Sequence, residues 1–342
     1  MSSVTIIQVA QHAGVSVKTV SRVLNGERYV RDELKDRVLR AAKALNYRPR
    51  PAARSLAGSR SYVIAYLMND PSIPYYGRAQ LGALTACRKA GYHLVVEAVD
   101  ITAADLDAEL EGLLTTLTVD GVILTPPHVD NPVILQALER AAITYVRIAP
   151  GSALDRSLHV DADEQSAAHA MTNHLLDLGH RRIGFIAGPS GHGAARRRLD
   201  GYLEALKDRG VARSDDLVQQ GAFTFESGRK AAEPLLALAA RPTAIFASND
   251  AMALGVMATA QRLGLAVPAD LSVAGFDDAH IAEMVWPSLT TIRQPIVEMA
   301  AAAAGMIIAR AAKGAVGPSP VQEVMHCELV IRDSTAPPKR PG

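Results

Sequence analysis

Apolar residues near the amino terminus repeat at the spacing of a short helix. At about 100° per residue, Val20, Val23 and Leu24 fall on one side of that helix, and Lys18 and Arg22 fall roughly on the other. The pattern predicts a helix with an apolar face for packing and a second face that carries short polar and cationic groups.

Capping and turn residues predict another helix just before this one. Thr5 and Gln8 have the spacing of a capping box, in which each side chain bonds to the other residue's backbone amide. Gly14 can take the positive φ of a tight turn, and Ser16 can cap the helix that follows. Residues 4–24 therefore read as a helix-turn-helix whose second helix can enter the major groove of DNA. An ordinary helical hairpin with a solvated polar face is the alternative.

Two further helical segments are expected before residue 60. Apolar positions repeat at helical spacing over residues 32–45, so a third helix should close a small core. Residues 50–58 are framed by proline and glycine, but two turns are too short to be stable alone in water. We expect this segment to be disordered until something holds it. Its Leu56 either packs on the body of the protein or wedges into a base step of the minor groove.

From residue 61 onward, short apolar runs alternate with longer helical patterns. Such alternation is typical of parallel sheets that are covered on both faces. The pattern restarts near residue 160, which indicates two doubly wound halves with a ligand site where their strand ends meet. The predicted strands are residues 62–68, 93–99, 119–125, 144–148, 182–187, 217–220, 244–247 and 272–276. The predicted helices lie near residues 75–90, 103–117, 131–142, 164–178, 194–209, 226–239 and 250–263.

Charge is distributed unevenly along the 342 residues. Residues 1–60 contain 12 Lys and Arg against 4 Asp and Glu, and the rest of the chain contains 24 against 31. A basic head on an acidic body favours a local site for a polyanion. Two cysteines are too few for a disulfide framework, and no signal-peptide pattern or membrane-length apolar run is present. We therefore expect a cytoplasmic protein with no membrane partner, located on the nucleoid when bound to DNA.

Three stretches of the head carry a specific resemblance: VTIIQVAQHAGVS followed two residues later by TVSRVLNG, then LNYRP, then AARSLAG. They resemble the DNA-binding head and hinge of the LacI/GalR family of repressors. The resemblance implies that Val17 and Lys18 read bases in the major groove, with Arg22 one turn on. It also implies that hinge helices containing Leu56 pair across a homodimer and form on operator DNA. Arg31 departs from the family, which usually has a capping Ser or Thr there.

The candidate DNA-binding residues follow from the helix pattern and the resemblance together. A lysine or arginine can donate to guanine O6 and N7, and an apolar side chain can contact a thymine methyl group. Amides at helix starts and the remaining polar groups can fix the register on phosphate. The candidates are Thr5, Ser16, Val17, Lys18, Thr19, Ser21, Arg22, Asn25, Tyr47, Ala53 and Leu56.

The rest of the chain resembles the type I periplasmic-binding-protein fold as LacI/GalR repressors use it. The matching stretches are HLLDLGHRRIGFIAGP (174–189), ARRRLDGY (195–202), SNDAMALGVM (248–257) and VAGFDD (273–278). The resemblance implies three crossings between the halves, which we place near residues 161, 291 and 321. The expected fold is thus an all-α helix-turn-helix head with a hinge helix, followed by an α/β body of two doubly wound parallel-sheet subdomains.

The expected domains follow from these crossings. They are a DNA-binding domain (1–48), a hinge (49–60), a first effector subdomain (61–160 plus 292–320), a second effector subdomain (161–291 plus 321–335) and a disordered tail (336–342). The last strand, residues 322–332, is assigned to the second subdomain. The tail has no leucine heptads, so coiled-coil tetramerisation is not expected.

Positions carried over from the family motif predict a small-molecule effector in the cleft. Arg198, Asn249 and Asp277 offer a guanidinium, an amide and a carboxylate, which together suit the hydroxyl pairs of a sugar. Asn249 and Asp277 could instead cap the helices that follow them. Phe223 could cover the apolar face of a pyranose or belong to the core.

The first half is expected to contribute further side chains to the same cleft. Ser72, Tyr75 and Tyr76 follow the first strand of the body and should face the cleft. Arg147 stands at a strand end, where it could bind an acidic effector or pair with Asp100 or Asp161, and we favour the structural pair.

Catalysis is not expected from this sequence. The GPSGHG segment (188–193) lacks the lysine and hydroxyl of a phosphate-binding loop and the spacing of a nucleophile elbow, so we interpret it as a cleft-edge loop. The ten histidines form no recognised metal-binding pattern, and no cofactor other than the effector is expected.

The chain is therefore predicted to be a transcriptional regulator, most simply a repressor of carbohydrate-metabolism genes, that binds a pseudo-palindromic operator as a homodimer. The alternatives are a sugar-binding protein of the transport type, a regulator with a non-sugar effector such as a nucleobase, and an enzyme.

Overall fold

The computed structural model describes residues 4–24, 30–47, 60–313 and 322–339. These residues belong to two compact units, an amino-terminal head and a larger body. The expected helical head and α/β body with parallel sheets are both confirmed. Three candidate DNA-binding residues, Asn25, Ala53 and Leu56, lie outside the described residues, as do residues 49–59 of the predicted hinge.

The head begins with the predicted capping box. The Gln8 amide donates to Thr5 Oγ1 at 3.4 Å, and the Thr5 amide donates to Gln8 Oε1 at 2.8 Å. Gly14 ends the first helix with φ of 62°, and the Thr19 amide donates to Ser16 Oγ at 3.1 Å to start the second. The helices are α1 (Ile6–Ala13), α2 (Val17–Leu24) and α3 (Asp32–Ala44).

A small apolar core joins the three helices of the head. Val9, Val20 and Val38 contribute one fully buried side chain from each helix. Arg37 of α3 donates to the Ala13 carbonyl at 2.7 Å, so this cation closes the end of α1. The core therefore fixes how α2 is presented.

The body contains two parallel sheets with helices on their faces. The strands are β1 (Val63–Met68), β2 (His93–Ala98), β3 (Gly121–Leu124), β4 (Tyr145–Ile148), β5 (Leu158–Ala162), β6 (Ile183–Ala187), β7 (Val218–Gln220), β8 (Ala244–Ala247), β9 (Ser272–Ala274), β10 (Thr291–Arg293), β11 (Gln322–Met325) and β12 (Glu328–Val330). The first sheet has the order β11-β5-β4-β3-β1-β2, and the second has the order β7-β6-β8-β9. The helices are α4 (Pro74–Ala90), α5 (Leu106–Thr116), α6 (Pro132–Arg140), α7 (Glu164–Asp177), α8 (Gly193–Asp208), α9 (Phe225–Ala237), α10 (Asp250–Arg262), α11 (Ile281–Met284) and α12 (Ile296–Lys313).

The last strand predicted from the sequence, residues 322–332, is two strands in different sheets. The sequence predicts this strand in the second subdomain, which is wrong for β11, because β11 pairs in parallel with β5 at the edge of the first sheet. Only β12 crosses, and it pairs antiparallel with β10. The third crossing therefore lies between residues 325 and 328. The run from 322 to 332 looks like one strand in sequence because both pieces are short and carry similar residues.

The carboxy-terminal segment also differs from the sequence expectation. The sequence predicts a disordered tail over residues 336–342, but residues 336–339 make hydrogen bonds with the second half. The Ala336 carbonyl accepts from His180 Nε2 at 2.9 Å, and the Ala336 amide donates to Ser272 Oγ at 3.0 Å. Lys339 Nζ lies 2.5 Å from Asp270 Oδ1. Partners distant in sequence hold this segment, so its proline-rich composition alone is a poor guide.

Candidate functional site

A cavity of about 500 Å³ lies between the two halves of the body. It sits beyond the carboxyl ends of strands from both sheets, where parallel α/β sheets commonly bind ligands. The polar residues in its lining include Asn69, Asp130, Glu164, His192, Arg198, Asn249, Asp277 and Gln294. The larger apolar and aromatic residues in its lining include Ile73, Tyr75, Tyr76, Ile101, Pro126, Pro127, Val129 and Phe223.

Arg198 is the buried cation of this cavity. Its Nη2 donates to Glu164 Oε1 at 2.8 Å, and its Nη1 donates to the Ser248 carbonyl at 2.6 Å. The guanidinium lies over the Phe276 ring, 3.9 Å from the ring centroid. Burial alone would lower the pKa of Arg198, but the carboxylates of Glu164 and Asp277 outweigh burial and raise it. The site therefore presents a permanently charged, oriented donor.

Asp277 is the carboxyl group beside that cation, and its pKa is raised. Gln294 Nε2 donates to Asp277 Oδ1 at 2.5 Å, and Arg198 Nη1 is 3.7 Å from the same oxygen. Burial, only partly offset by Arg198, raises the pKa of Asp277 to about 6. The carboxylate is thus an acceptor at neutral pH and becomes protonated in mildly acidic solution.

This shift predicts how stability depends on pH. Because the folded-state pKa of Asp277 is raised, its contribution to stability is fully present below pH 3.8 and is lost as pH rises through about 6. Asp277→Asn removes this term, so the stability of the variant relative to the wild type should rise as pH increases from 4 to 7. Urea unfolding of both proteins across this range measures the difference. A difference in stability that does not change with pH would contradict the raised pKa of Asp277.

Asn249 and Phe223 combine structural and lining roles. Asn249 Oδ1 caps α10 by accepting from the Met252 amide at 2.9 Å, and its Nδ2 donates to the Phe223 carbonyl at 3.1 Å. Phe223 has φ of 59°, and its ring meets the His192 ring edge-on at 5.0 Å. The Phe223 ring therefore forms a wall of the cavity while also packing against the core of the second half.

The two tyrosines of the first half line the cavity as expected, but the serine before them does not. Tyr76 Oη donates to the Pro126 carbonyl at 2.8 Å, and the Tyr75 and Tyr76 rings meet edge-on at 5.6 Å. Ser72 is exposed and lies outside the cavity lining, because its amide donates to Asp70 Oδ1 at 2.8 Å in the preceding turn. Ser72 is thus removed from the candidate site.

Arg147, like Ser72, does not line the cavity. Its side chain is fully buried, and its ion-pair partner is Asp130 at 3.2 Å rather than Asp100 or Asp161. It also donates to Ser157 Oγ at 2.8 Å and to the carbonyls of Ser152 and Ala153. Arg147 therefore makes a structural ion pair, as the sequence favoured, but with Asp130 instead of Asp100 or Asp161. Through its other hydrogen bonds, Arg147 also holds residues 149–157 in place.

Sequence reasoning missed several lining residues, notably Glu164 and Gln294. Glu164 begins α7 directly after β5, and β5 was marked in sequence only as the place where the pattern restarts. Its position at a strand end was the available signal. The GPSGHG segment does line the cavity edge. Burial lowers the pKa of His192 to about 4, so its imidazole is neutral at physiological pH. Among the residues that the structure describes, no His, Cys, Asp and Glu cluster could hold a metal ion.

The second helix of the head presents the predicted DNA-reading face. Val17, Lys18 and Arg22 are exposed on α2, whereas Thr19 and Ser21 are half-buried. Thr5 caps the amino end of α1, and Ser16 caps the amino end of α2. Tyr47 is half-buried and packs against the core of the head.

A helix-turn-helix head and a body with a ligand-sized cleft together define a DNA-binding protein of the ligand-responsive class. Family models agree with both parts: residues 5–50 match "Bacterial regulatory proteins, lacI family", and residues 172–335 match "Periplasmic binding protein-like domain". The chain belongs to the lacI family of bacterial regulatory proteins and is a DNA-binding transcriptional regulator.

Curated relatives span almost the whole chain and are regulators rather than enzymes. The transcriptional regulator CelR of Thermobifida fusca is 34% identical, covering 96% of this chain and 98% of its own. The repressor CytR of Escherichia coli K12 is 33% identical, covering 98% and 97%. The ribose operon repressor of the same organism is 35% identical, covering 90% and 92%.

Solved structures show the same architecture. A CelR–cellobiose complex has a TM-score of 0.75 at 33% identity and covers 97% of this chain and 99% of its own. The lac repressor dimer bound to operator and the anti-inducer ONPF has a TM-score of 0.77 at 26% identity and covers 98% and 100%. In the part of this chain that the structure describes, no helix is long and apolar enough to cross a membrane.

Proposed function

We propose that this protein is a repressor of carbohydrate-metabolism genes. It binds a pseudo-palindromic operator as a homodimer and is controlled by a sugar in the cleft of the body. The observation that carries this proposal is the cavity itself, which combines an oriented arginine and carboxylate with an aromatic wall. No cofactor other than the effector is needed, and the operator-bound protein would lie on the nucleoid.

The chemistry of the cavity supports a polyhydroxylated ligand. Arg198 can donate to neighbouring hydroxyl oxygens, and Asp277 can accept from hydroxyl protons. The rings of Tyr75 and Phe223 offer flat apolar surface for the C–H face of a pyranose. A sugar acts on transcription only through a difference in its affinity for the two conformational states of the regulator.

An apolar groove on the second half supports the proposed dimer. A groove of about 490 Å³ is lined by Phe225, Leu254, Met257, Ile281, Val285 and Trp286, among others. Trp286 is 87% exposed and the neighbouring Met284 is 67% exposed, which is unusual for such large apolar side chains. Aromatic residues surrounded by apolar surface are typical of protein interfaces. The groove is the surface that we assign to the second copy.

Ile281→Glu tests the assignment of this groove. A carboxylate at the centre of an apolar interface would be desolvated without a partner, so the dimer should weaken by about 100-fold or more. Analytical ultracentrifugation measures the change. Leu263→Glu is the control, because Leu263 is a 53% exposed residue on the same half outside the groove. Equal effects of the two substitutions would place the interface elsewhere.

Lys18→Ala tests base reading by α2. Lys18 is exposed at the start of that helix, where it can donate to guanine O6 and N7. Loss of a base contact should cost about 1–3 kcal/mol at one position of the half-site and relax the preference there. Selection of binding sites from random duplexes shows this directly. Weaker binding with unchanged sequence preference would make Lys18 a phosphate contact instead.

The effector proposal is tested by calorimetric titration of the full chain with a panel of mono- and disaccharides. Nucleosides and nucleobases form the comparison panel. The proposal is supported if one sugar gives a saturable heat of binding with the wild type and gives none with Asp277→Ala. Binding of only a nucleoside or nucleobase would overturn the sugar effector while leaving the cleft as the site.

A further inference from the structure

Two loops close one edge of the cleft by direct backbone contact. A Cβ atom placed on Gly193 would lie 2.2 Å from Gly151 Cα, so the loops from the two halves touch where only glycine fits. The Gly151 amide donates to Asp130 Oδ2 at 2.7 Å, which fixes this loop to the first half. Closure at this edge therefore depends on what holds the second half against the loop.

Arg197 supplies a charged bond across that edge. From α8 of the second half, its Nη1 donates to the Pro150 carbonyl of the first half at 2.9 Å. Its Nε donates to Glu164 Oε2 at 3.2 Å, and its Nη2 lies 3.4 Å from Asp161 Oδ1. The guanidinium is thus held by two carboxylates while it binds the loop.

Glu164 connects this bond to the interior of the cavity. One carboxylate oxygen accepts from Arg197, and the other accepts from Arg198 at 2.8 Å. The side chain is 1% exposed, and although burial raises its pKa, the two guanidiniums outweigh burial and hold the pKa below its usual range. A buried carboxylate that loses one of two cations is costly, so the three side chains must rearrange together.

We propose that Glu164 and Arg197 are positioning residues that link Arg198 in the cavity to closure of the cleft at the Pro150 carbonyl. A ligand that engages Arg198 changes how Glu164 shares its two oxygens. That change alters the hold of Arg197 on the loop at residues 149–157. The proposal rests on the proposed role of the cleft as an effector site.

Hydrogen exchange of the full chain tests the link without ligand or DNA. Arg197→Ala should speed exchange of amides in residues 149–157 by about tenfold, because one charge-assisted hydrogen bond across the edge is lost. Arg196→Ala is the matched control, since Arg196 is an 86% exposed neighbour whose Nε lies 3.9 Å from Asp200 Oδ2. Unchanged exchange in Arg197→Ala, or equal exchange in both variants, would overturn the proposal.

Glu164→Gln separates a positioning role from general destabilisation. Glu164 makes no bond to residues 149–157 itself, so its substitution should speed exchange there through Arg197 alone, while β8 stays protected. In the double variant with Arg197→Ala, the added effect of Glu164→Gln should disappear. Additive effects, or faster exchange in β8 as well, would overturn the link. Failure to find a sugar that binds would refute the effector proposal and leave these exchange results standing.

Discussion

Replacing Arg198 with alanine is expected to abolish the response to effector and to lower the free energy of unfolding by about 3–5 kcal/mol. The substitution removes the donor that faces the cavity and leaves Glu164, which is 1% exposed, with Arg197 as its remaining strong cation. It also removes a guanidinium that lies over the Phe276 ring. Thermal and urea unfolding measure the stability, and effector titration measures the response.

A double substitution separates the two consequences. Arg198→Ala combined with Glu164→Gln should recover part of the lost stability, because the carboxylate no longer needs a cation, but it should not recover effector binding. Arg196→Ala, an exposed substitution on the same helix, should leave both properties unchanged. A normal effector response in Arg198→Ala would mean that the ligand binds elsewhere.

Replacing Val20 with aspartate is expected to abolish DNA binding and leave effector binding intact. Val20 is fully buried between the helices of the head, and a buried carboxylate without a partner costs several kcal/mol. The small core of the head cannot absorb that cost, whereas the body has separate cores around its two sheets. Operator titration should show binding weakened by about 100-fold or more.

An exposed site in the same unit provides the control. Leu39 of α3 is 45% exposed, so Leu39→Asp adds the same charge without entering the core. This variant should keep slow hydrogen exchange in the head, whereas Val20→Asp should lose it. If Val20→Asp also lost effector binding, the core of the head would not be independent of the cores of the body.

Local rules made the regular elements predictable. The capping box of Thr5 and Gln8 and the turn at Gly14 involve residues close in sequence, so their geometry follows from spacing. The predicted strand at residues 244–247 is observed with the same bounds, because a fully buried strand reads as a continuous apolar run. The strand at residues 322–325 was misplaced because sheet membership depends on a partner more than 150 residues away in sequence.

The site was predictable where the family motif supplied the side chain. Asn249 and Asp277 follow strand ends, Arg198 lies within α8, and all three reach the cavity. Ser72 and Arg147 do not, because one is held in a local turn and the other is drawn inward by Asp130 and by backbone carbonyls. Glu164 was missed because its importance comes from two arginines on another helix, and that proximity exists only in the folded body.

The decisive measurement is binding of this protein to DNA from upstream of its own gene. The sugar panel is titrated into the mixture of protein and DNA. Specific binding that one sugar releases, or that one sugar is required for, is the predicted result. Asp277→Ala should lose the response to sugar. If the sugar releases the wild type from the operator, the variant should stay bound with or without sugar; if the sugar is required for binding, the variant should stay unbound. Specific binding that no sugar alters would contradict the proposed effector, and no specific binding with or without sugar would contradict the role assigned to the head.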